Sequence, residues 1–317
     1  MRILITGGFG FIGGRLAQHL FKAGHHVVLG SRTYTSSPDW LPEVDVVQAN
    51  WNDCSSLKQI CRGIDVVIHA AGMNARECAQ NPVVALEFNG LATARLVEAA
   101  ILAKVKRFLY LSTAHVYANP LSGIITEESC PRNLHPYATS HLAGEHALLG
   151  ANQLGEIEGF VLRLSNAFGV PVQKEVNCWM LLVNDLCRQA VEACQLVLHS
   201  SGIQERDFIS MGEVCRVLAF LIVCPVDLVS SPVINVGSGI SHSVLEMACM
   251  VQQRCLCVLG HEPTISRPKK TSDEGCDVML EYRTNRLSET GVKVVVDHQQ
   301  EIDLLLRFCN SAFNTSK

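Results

Sequence analysis

The sequence predicts an α/β fold in which a doubly wound parallel sheet is joined to a smaller α/β lobe. Short β-rich runs alternate with helical patterns through the first half of the chain, as they do in the strand–helix–strand units of a parallel sheet. The strand predicted at residues 65–69 has an uninterrupted apolar centre, Val66-Val67-Ile68, which is typical of a strand with both faces covered. The 317 residues are 48% hydrophobic and 18% charged, so the chain can bury a sizeable core and is not disordered.

The elements of the first half follow one another in the order that this sheet requires. Strands are predicted at residues 2–6, 26–29, 44–48, 65–69, 107–112 and 160–163. Helices are predicted at residues 13–23, 55–61, 86–103 and 136–149. Right-handed crossovers place a ligand beyond the carboxyl ends of the strands, where the strand order reverses.

Beyond Pro171 the pattern becomes less regular. Helices are predicted at residues 178–196, 213–223, 244–253 and 301–308, a hairpin or strand pair at 198–208, a short strand at 233–235 and a loop at 261–282. We therefore expect a first domain at residues 1–170, with later return segments at about 203–237, and a smaller lobe mainly at 171–317.

Charge and cysteine content narrow the class of protein. There are 26 Lys and Arg against 30 Asp and Glu, a net charge of −4, so nothing favours binding to nucleic acid or to an anionic membrane. The chain opens on Arg2-Ile-Leu-Ile, and we expect no signal peptide, a cytoplasmic location and 14 cysteines that act mostly as small buried hydrophobes. The apolar run at 217–226 is about half a membrane span and contains Pro225, which indicates a buried helix.

Three glycines between the first strand and the first helix form the strongest local signal. Gly7 permits the tight turn, Gly10 lets a pyrophosphate approach the backbone, and Gly13 lets the helix pack close to the strand. Phe11 and Ile12 lie between them, where backbone N–H groups and the positive end of the helix dipole meet the phosphates. This pattern predicts a dinucleotide site in the first domain, and so makes the smaller lobe the substrate-binding one.

The residues that follow the second strand indicate which dinucleotide is bound. NAD sites usually have an acidic residue there, which binds the adenosine ribose. This chain has Ser31 and Arg32 instead, and these donors suit a 2′-phosphate. We therefore expect NADP in preference to NAD, with NAD as the alternative.

An ordered series of motifs resembles the extended short-chain dehydrogenase/reductase superfamily, and within it the nucleotide-sugar epimerase/dehydratase branch. The resemblance covers nearly the whole chain. Its landmarks are T-G-G-x-G-F-I-G at 6–13, H-A-A-G at 69–72, Asn89 with Thr93, Ser112-Thr113 before Val-Tyr, Tyr137, R-x-x-N-x-F-G at 163–169, Arg206-Asp-Phe-Ile and N-V-G-S-G at 235–239.

The resemblance assigns the catalytic residues. It implies that Tyr137 is the general acid/base, that Thr113 orients the substrate oxygen, and that Ser112 is the fallback for Thr113. In the family a lysine follows the tyrosine by four residues, and this chain has His141 there. Tyr137 and His141 share a helix face, but a histidine is shorter than lysine and is largely neutral at pH 7. We therefore expect slower or pH-shifted activity.

The resemblance also assigns binding residues. It implies that Asn50 contacts the adenine of the cofactor, with Trp51 beside it. His69, Ala70, Ala71 and Gly72 bring backbone close to the cofactor, and Asn89 braces that backbone, while Tyr137 and His141 reach the nicotinamide end. Asn166 and Arg206 are implied to grip the diphosphate of an activated sugar, an arrangement that suits the planar charge of arginine.

Related 4,6-dehydratases carry Thr-Asp-Glu where this chain has Thr113-Ala114-His115. Elimination is therefore disfavoured, and 4-epimerisation or 4-keto reduction of a nucleotide sugar remains. Two other hypotheses stay open: a dinucleotide-binding protein with weak or lost catalysis, and a reductase of a non-sugar carbonyl compound. Relatives pair the helices at 86–103 and 136–149 between subunits, which implies a homodimer. No metal site is predicted, because the nearby histidines lack ligand partners at useful spacing.

Overall fold

The computed structural model describes residues 1–33, 36–269 and 279–314. The strands are β1 (Arg2–Thr6), β2 (His26–Ser31), β3 (Asp45–Gln48), β4 (Val66–His69), β5 (Arg107–Thr113), β6 (Gly123–Ile125), β7 (Glu158–Leu164), β8 (Asn166–Phe168), β9 (Gln195–Val197), β10 (Glu205–Ser210), β11 (Val233–Val236), β12 (Ser241–Ser243), β13 (Thr264–Ser266) and β14 (Leu280–Tyr282). The helices are α1 (Phe11–Lys22), α2 (Cys54–Ile60), α3 (Ala75–Gln80), α4 (Pro82–Ala85), α5 (Ala92–Leu102), α6 (Pro136–Gln153), α7 (Leu182–Glu192), α8 (Met211–Val223), α9 (Val244–Leu259), α10 (Asn285–Glu289) and α11 (His298–Phe313). A π-helical segment, Leu86–Leu91, joins α4 to α5.

The main sheet has seven strands in the order β11-β7-β5-β4-β1-β2-β3. Every neighbouring pair in it is parallel. The chain moves from β1 to β2 and β3 on one side and then crosses to β4 on the other, so β1 marks the point where the strand order reverses. This confirms the predicted doubly wound sheet and places its crevice at the carboxyl ends of β1 and β4.

Helices cover both faces of the sheet because its strands are apolar on both sides. Ile3 and Ile5 of β1 pack in one core cluster with residues of α1 and α8, and Leu4 packs in the opposite cluster with residues of α2, α5 and α6. The apolar run at 217–226 comprises the second half of α8 and the three residues after it, and the inward face of α8 is buried, as predicted. Within the described part of the chain, no helix combines the length and apolar character needed to cross a membrane.

The smaller lobe is built around α7, α9 and α11, whose apolar faces share one core cluster. Three small sheets accompany them: β12-β10-β8, β13-β9 and β14-β6. The cysteines of the described segments are free thiols and most are buried.

Three predictions for this second half were wrong. Residues 198–208 are not a hairpin, because β9 pairs with β13 whereas β10 pairs with β8 and β12. The helix predicted at 178–196 is shorter, since Cys194 has a positive φ of 49° and β9 begins after it. The loop predicted at 261–282 contains β13 and β14, which are short edge pairings, and residues 270–278 of that prediction lie outside the described residues.

Candidate active site

The three glycines after β1 form a cradle that has no room for side chains. A Cβ on Gly7, whose φ is +69°, would lie 2.8 Å from the backbone of Ala70 and Ala71. A Cβ on Gly13 would collide with the carbonyl oxygen of Gly7, and one on Gly10 would lie 3.1 Å from that same oxygen. The turn between β1 and α1 therefore exposes bare backbone at the crevice.

Helix α1 begins at this turn, and its N-cap, Gly10, has no side-chain cap. Gly7, Gly10, Phe11, Ile12 and Gly13 all line a cleft of about 630 Å³. A 12-residue helix that points its N-terminus into a cleft offers the partial positive charge that a pyrophosphate needs. The cradle therefore fits the phosphates of a dinucleotide.

Ala70, Ala71 and Gly72 form the wall of the cleft that adjoins Gly7. The side chain of His69 is turned into the protein, where its ring nitrogens bond Thr6 Oγ1 at 2.6 Å and Thr93 Oγ1 at 2.8 Å. Only the backbone of residue 69 is therefore available to a cofactor.

Asn89 is buried and holds this wall from behind. Its Oδ1 accepts the Met73 N–H at 2.8 Å, and its Nδ2 donates to Ser140 Oγ at 3.0 Å. Asn89 thus braces the backbone of the 70–73 segment without lining the cleft.

A second cavity, of about 560 Å³, adjoins the cleft, and Arg32 lines both. Asn50 and Trp51 line this second cavity together with Phe88. The Arg32 guanidinium carbon lies 4.8 Å from the centre of the Phe88 ring, a cation–π contact that holds the charge between the two cavities. Ser31 ends β2 beside this point and is half-buried.

Thr113, Tyr137 and His141 come together at the other end of the cleft, brought there by β5 and α6. Burial raises the pKa of Tyr137, and a hydrogen bond with the Thr113 side chain opposes that rise. The rings of Tyr137 and His141 meet edge to face with 4.6 Å between their centres. Burial lowers the pKa of His141 to about 4, so this imidazole is neutral at pH 7.

Ser112 also borders the cleft, but its hydroxyl donates to the buried carboxylate of Glu145. Arg163 binds the same carboxylate in a two-pronged ion pair, with Nη2 at 2.6 Å from Oε2. Since its single proton is held in this network, Ser112 is poorly placed to orient a substrate, and the fallback role does not fit its geometry.

Asn166 and Arg206 lie across the cleft, on β8 and β10. Asn166 Nδ2 donates to the carbonyl of Asp207, which leaves its side-chain oxygen for other partners. Arg206 donates to Gln204 Oε1 at 3.0 Å, and burial lowers the pKa of its guanidinium. His115 lines the same part of the cleft, where burial and the charge of Arg206 lower its pKa.

The backbone of the turn at 237–239 is bonded to a side chain of the protein itself. The Asp207 carboxylate accepts the N–H groups of Ser238 at 2.9 Å and Gly239 at 2.7 Å. A Cβ on Gly237 would lie 2.6 Å from Asp207 Oδ1. These glycines therefore make room for a buried carboxylate.

Several cleft residues were not predicted from the sequence. Asn74 and Glu77 line the cleft and form the capping box of α3, a spacing visible in the sequence. Asn177 and Met180 come from the connection before α7, and they carry no local signal. Tyr110, Glu145 and Phe88 act behind the cleft wall or in the adjoining cavity, and only the fold brings them there. Among the described residues, no group of three or more His, Cys, Asp or Glu side chains could hold a metal ion.

Comparison with known proteins agrees with this geometry. The model of the NAD dependent epimerase/dehydratase family matches residues 3–237. The chain belongs to this family. The match confirms the predicted resemblance, to an enzyme of the extended short-chain type in its nucleotide-sugar branch.

Individual relatives are distant but extensive. A putative UDP-glucose 4-epimerase of Methanocaldococcus jannaschii is 27% identical over 77% of this chain and 79% of its own length. A dTDP-6-deoxy-L-talose 4-dehydrogenase (NAD(P)(+)) of Kitasatospora kifunensis is 30% identical over 75% of this chain and 74% of its own. The UDP-glucose 4-epimerase of Thermus thermophilus, solved in complex with NAD, has the same fold, with a TM-score of 0.81 and 23% identity over 98% of this chain and all of the other.

Proposed function

We propose that this family member reduces the keto group of a nucleotide-activated sugar and that NADP is its cofactor. The observation that carries the proposal is the buried pair in the cleft, in which the Tyr137 phenol meets an uncharged imidazole, His141. A phenol whose pKa is raised keeps its proton at neutral pH. It therefore suits the step in which a carbonyl oxygen must receive a proton.

The residues of the chain divide this chemistry among them. When bound, the reduced dinucleotide supplies the hydride that the carbonyl carbon accepts. Tyr137 gives its phenolic proton to the carbonyl oxygen as negative charge develops there, and it regains a proton from water afterwards. The Thr113 hydroxyl holds the same oxygen in place. The products are an alcohol and the oxidised cofactor, so protons and electrons balance.

The cofactor is held along the length of the cleft. Gly7, Gly10 and Gly13 take the pyrophosphate, with Phe11 and Ile12 in the same helix turn, and the 70–72 backbone forms the adjoining wall. The adenine lies towards Asn50 and Trp51, and His141 donates to the nicotinamide ribose. Arg32 binds the 2′-phosphate of NADP, supported by its contact with Phe88 and by the absence of a carboxylate from the Val27–Arg32 stretch.

The nucleotide end of the substrate lies across the cleft from the cofactor. Arg206 is a permanent cation partly buried beside Asn166, which suits a diphosphate. In this proposal the first domain, at residues 1–170 with the return segments at 203–237, binds the dinucleotide. The lobe at 171–317 supplies most of the substrate contacts.

Reduction fits the site better than epimerisation does. Epimerisation starts with the oxidation of a hydroxyl, for which the tyrosine must first become a phenolate. Without a cation beside it, Tyr137 reaches that state only at high pH. The 30% identical relative from Kitasatospora, named as a 4-dehydrogenase, supports redox chemistry at a single sugar carbon.

A ligand panel followed by an assay tests the proposal. NADP is expected to raise the melting temperature more than NAD does, and a UDP-, GDP- or dTDP-sugar is expected to raise it further by mass action. With a 4-keto nucleotide sugar, NADPH is expected to be consumed in proportion to the substrate. Stabilisation by the dinucleotide but by no sugar nucleotide would contradict the substrate class. It would favour a non-sugar carbonyl substrate or a binding role.

A 4-epimerase is the second candidate, favoured by the Methanocaldococcus relative and by the Thermus structure with NAD. The two functions differ in how the cofactor is held. A reductase exchanges its cofactor at each turnover, whereas an epimerase retains and recycles it. Purified protein that carries bound NAD and interconverts two sugar nucleotides without added cofactor would establish the second candidate.

We also propose that the chain forms a homodimer through the face of α4 and α5. Val83 of α4, Leu91 of the π-helical segment that joins the two helices and Leu102 of α5 are 70%, 48% and 56% exposed. Apolar side chains at this density are typical of an interface. Light scattering on the purified protein tests the oligomeric state, and a monomer at micromolar concentration would contradict it. The cytoplasmic location stays a prediction.

A further inference from the structure

Three buried rings stand in a row behind the catalytic end of the cleft. The Tyr110 ring is stacked between His69 and His141, with centre-to-centre distances of 5.4 Å and 5.9 Å. All three side chains are buried, and Tyr110 is only 1% exposed. The third ring, His141, stands at the position where the family has lysine, so its surroundings decide what the replacement can do.

The hydrogen bonds determine where the proton of Tyr110 lies. Tyr110 Oη is 2.9 Å from His141 Nδ1. Its other two partners are already engaged: the carbonyl of Asn89 is 3.5 Å away and accepts the Thr93 hydroxyl at 2.7 Å, and the Thr93 oxygen, which also bonds Tyr110, lies 2.8 Å from His69 Nε2. Because burial raises the pKa of Tyr110 well above its ordinary range, this phenol remains a donor at every relevant pH. The short bond therefore runs from Tyr110 to Nδ1.

We propose that Tyr110 is a positioning residue: its hydroxyl fixes His141 as the tautomer protonated on Nε2, with the Nε2–H directed to the cleft. The Cε1–Nε2 edge of His141 faces Gly72, a cleft residue, on which a Cβ would lie 3.7 Å from Cε1 and 3.8 Å from Nε2. This inference rests on the proposed function, because the group that receives this N–H is a cofactor ribose hydroxyl.

Helix α6 makes space for this bond. Gly144, one turn after His141, is a glycine in a helix interior, which costs about 1 kcal/mol relative to alanine. A Cβ there would lie 2.8 Å from Tyr110 Oη and 2.8 Å from the carbonyl of Asn89. The Tyr110 hydroxyl can therefore reach this pocket only because residue 144 has no side chain.

The Tyr110–His141 pair has one property of the family's lysine, a directed hydrogen-bond donor, and lacks the other, a positive charge. The Nε2–H remains a directed donor toward the cofactor, whereas the positive charge is absent because His141 is buried and neutral. The other ionisable groups near this ring are the Tyr137 phenol and the His69 imidazole, while Glu145, whose carboxylate is bound by Arg163, acts on Tyr110. An imidazole without Tyr110 could exchange tautomers, so the tyrosine supplies the constraint.

Histidine side-chain nitrogen NMR tests the tautomer without any cofactor. The signals of His141 are assigned as those missing from His141→Gln. In the wild-type protein at pH 7 they are expected to show a neutral ring protonated on Nε2. A proton on Nδ1, or a charged ring, would overturn the proposal. Tyr110→Phe is expected to yield a mixture of tautomers, and an unchanged ring in that variant would also overturn it.

Cofactor titration tests the consequence through a double-mutant cycle. Tyr110→Phe is expected to weaken NADP binding about three- to tenfold, the range for one lost hydrogen bond. In a His141→Lys background the same change is expected to alter the affinity less than twofold. Equal losses in both backgrounds would show that Tyr110 acts only on the fold.

The matched control is Tyr282→Phe, which removes a buried phenol bonded to the Arg163 carbonyl at 2.6 Å and to Asn235 Oδ1 at 3.0 Å, and not to His141. It is expected to lower the melting temperature and leave both the His141 signals and the NADP affinity unchanged. If the wild type binds no dinucleotide, the proposed function fails. The NMR result still decides the tautomer in that case.

Discussion

The two ends of the cleft are built on different principles. The end proposed to bind the pyrophosphate is backbone: at Gly7 and Gly13 any side chain would strike neighbouring main chain. The end proposed to be catalytic is made of side chains, and there the lysine expected from the family is replaced by His141, which is bonded to Tyr110. Steric fit leaves the first end no freedom to vary. The second end depends on protons and charge, so a compensating pair of residues can change its chemistry.

Removal of the Tyr137 phenol should have the largest effect of these changes, and the effect should be on the rate of reduction. Tyr137→Phe keeps the ring and its packing but removes the proton donor. We expect the rate of NADPH-dependent reduction to fall about 10²- to 10⁴-fold, with NADP affinity within about twofold of wild type. Steady-state kinetics with a titration of cofactor separates these quantities, and a rate that stays within about tenfold of wild type would remove Tyr137 from the mechanism.

A methyl group in the glycine cradle tests whether steric fit at this end of the cleft determines cofactor binding. Gly13→Ala places a Cβ against the Gly7 carbonyl, and we expect NADP affinity to fall at least about 100-fold. Gly150→Ala is the matched control, because nothing lies within 4 Å of its Cβ, and it is expected to leave binding unchanged. Near-wild-type affinity in Gly13→Ala would mean that the pyrophosphate lies elsewhere.

The buried histidines predict how stability depends on pH. The pKa of His141 falls from 6.5 to about 4 on folding, so its neutral form favours the folded state above pH 6.5. That stability is lost as the pH falls from 6.5 through 4, by an amount on the order of 3 kcal/mol. Denaturant unfolding across this range measures it. His141→Gln should show a shallower dependence, and an equal slope would place the titration in other groups.

Replacement of His141 by the family's lysine should change the direction of the reaction that the site favours. His141→Lys adds a positive charge beside Tyr137 and should lower the pKa of its phenol. We expect oxidation of the sugar alcohol to become about tenfold faster at pH 7, with its pH profile moved to lower pH. Unchanged or slower turnover in both directions would show that the wild-type pair is fully adapted, or that the protein does not turn over.

The smallest expected effect is on the choice of cofactor. Arg32→Gln removes the charge held over Phe88, and we expect NADP to bind about tenfold more weakly while NAD stays within about twofold. Arg62→Gln, a change at an exposed arginine that lines neither cavity, is the control. Tenfold tighter binding of NAD than of NADP to the wild type would overturn the cofactor proposal.

The sequence was informative where a local pattern decides the structure. Strands of the main sheet have apolar centres, and the glycine spacing predicts the cradle, because both depend on neighbouring residues. The second half was harder to predict, because β9 and β13 pair across a distance of about seventy residues.

Contacts between side chains on separate elements were also out of reach. Tyr110 in an apolar strand is indistinguishable from a core aromatic until the packing of β5 against α6 brings its hydroxyl to His141. The hydrogen bond of the Ser112 hydroxyl was out of reach for the same reason, because its acceptor, Glu145, lies 33 residues further along the chain. Local motifs thus indicated which residues would line the cleft, and tertiary packing determined which hydroxyls remain available in it.

Ionisation of Tyr137 is the most direct test, because the proposed direction of the reaction depends on it. The ultraviolet difference between the ligand-free wild type and Tyr137→Phe, followed as the pH is raised, reports the phenolate of this residue alone. The account predicts no phenolate signal below about pH 10, the ordinary pKa of tyrosine. A phenolate that appears between about pH 6 and 8 would contradict it, and would restore a base suited to epimerisation.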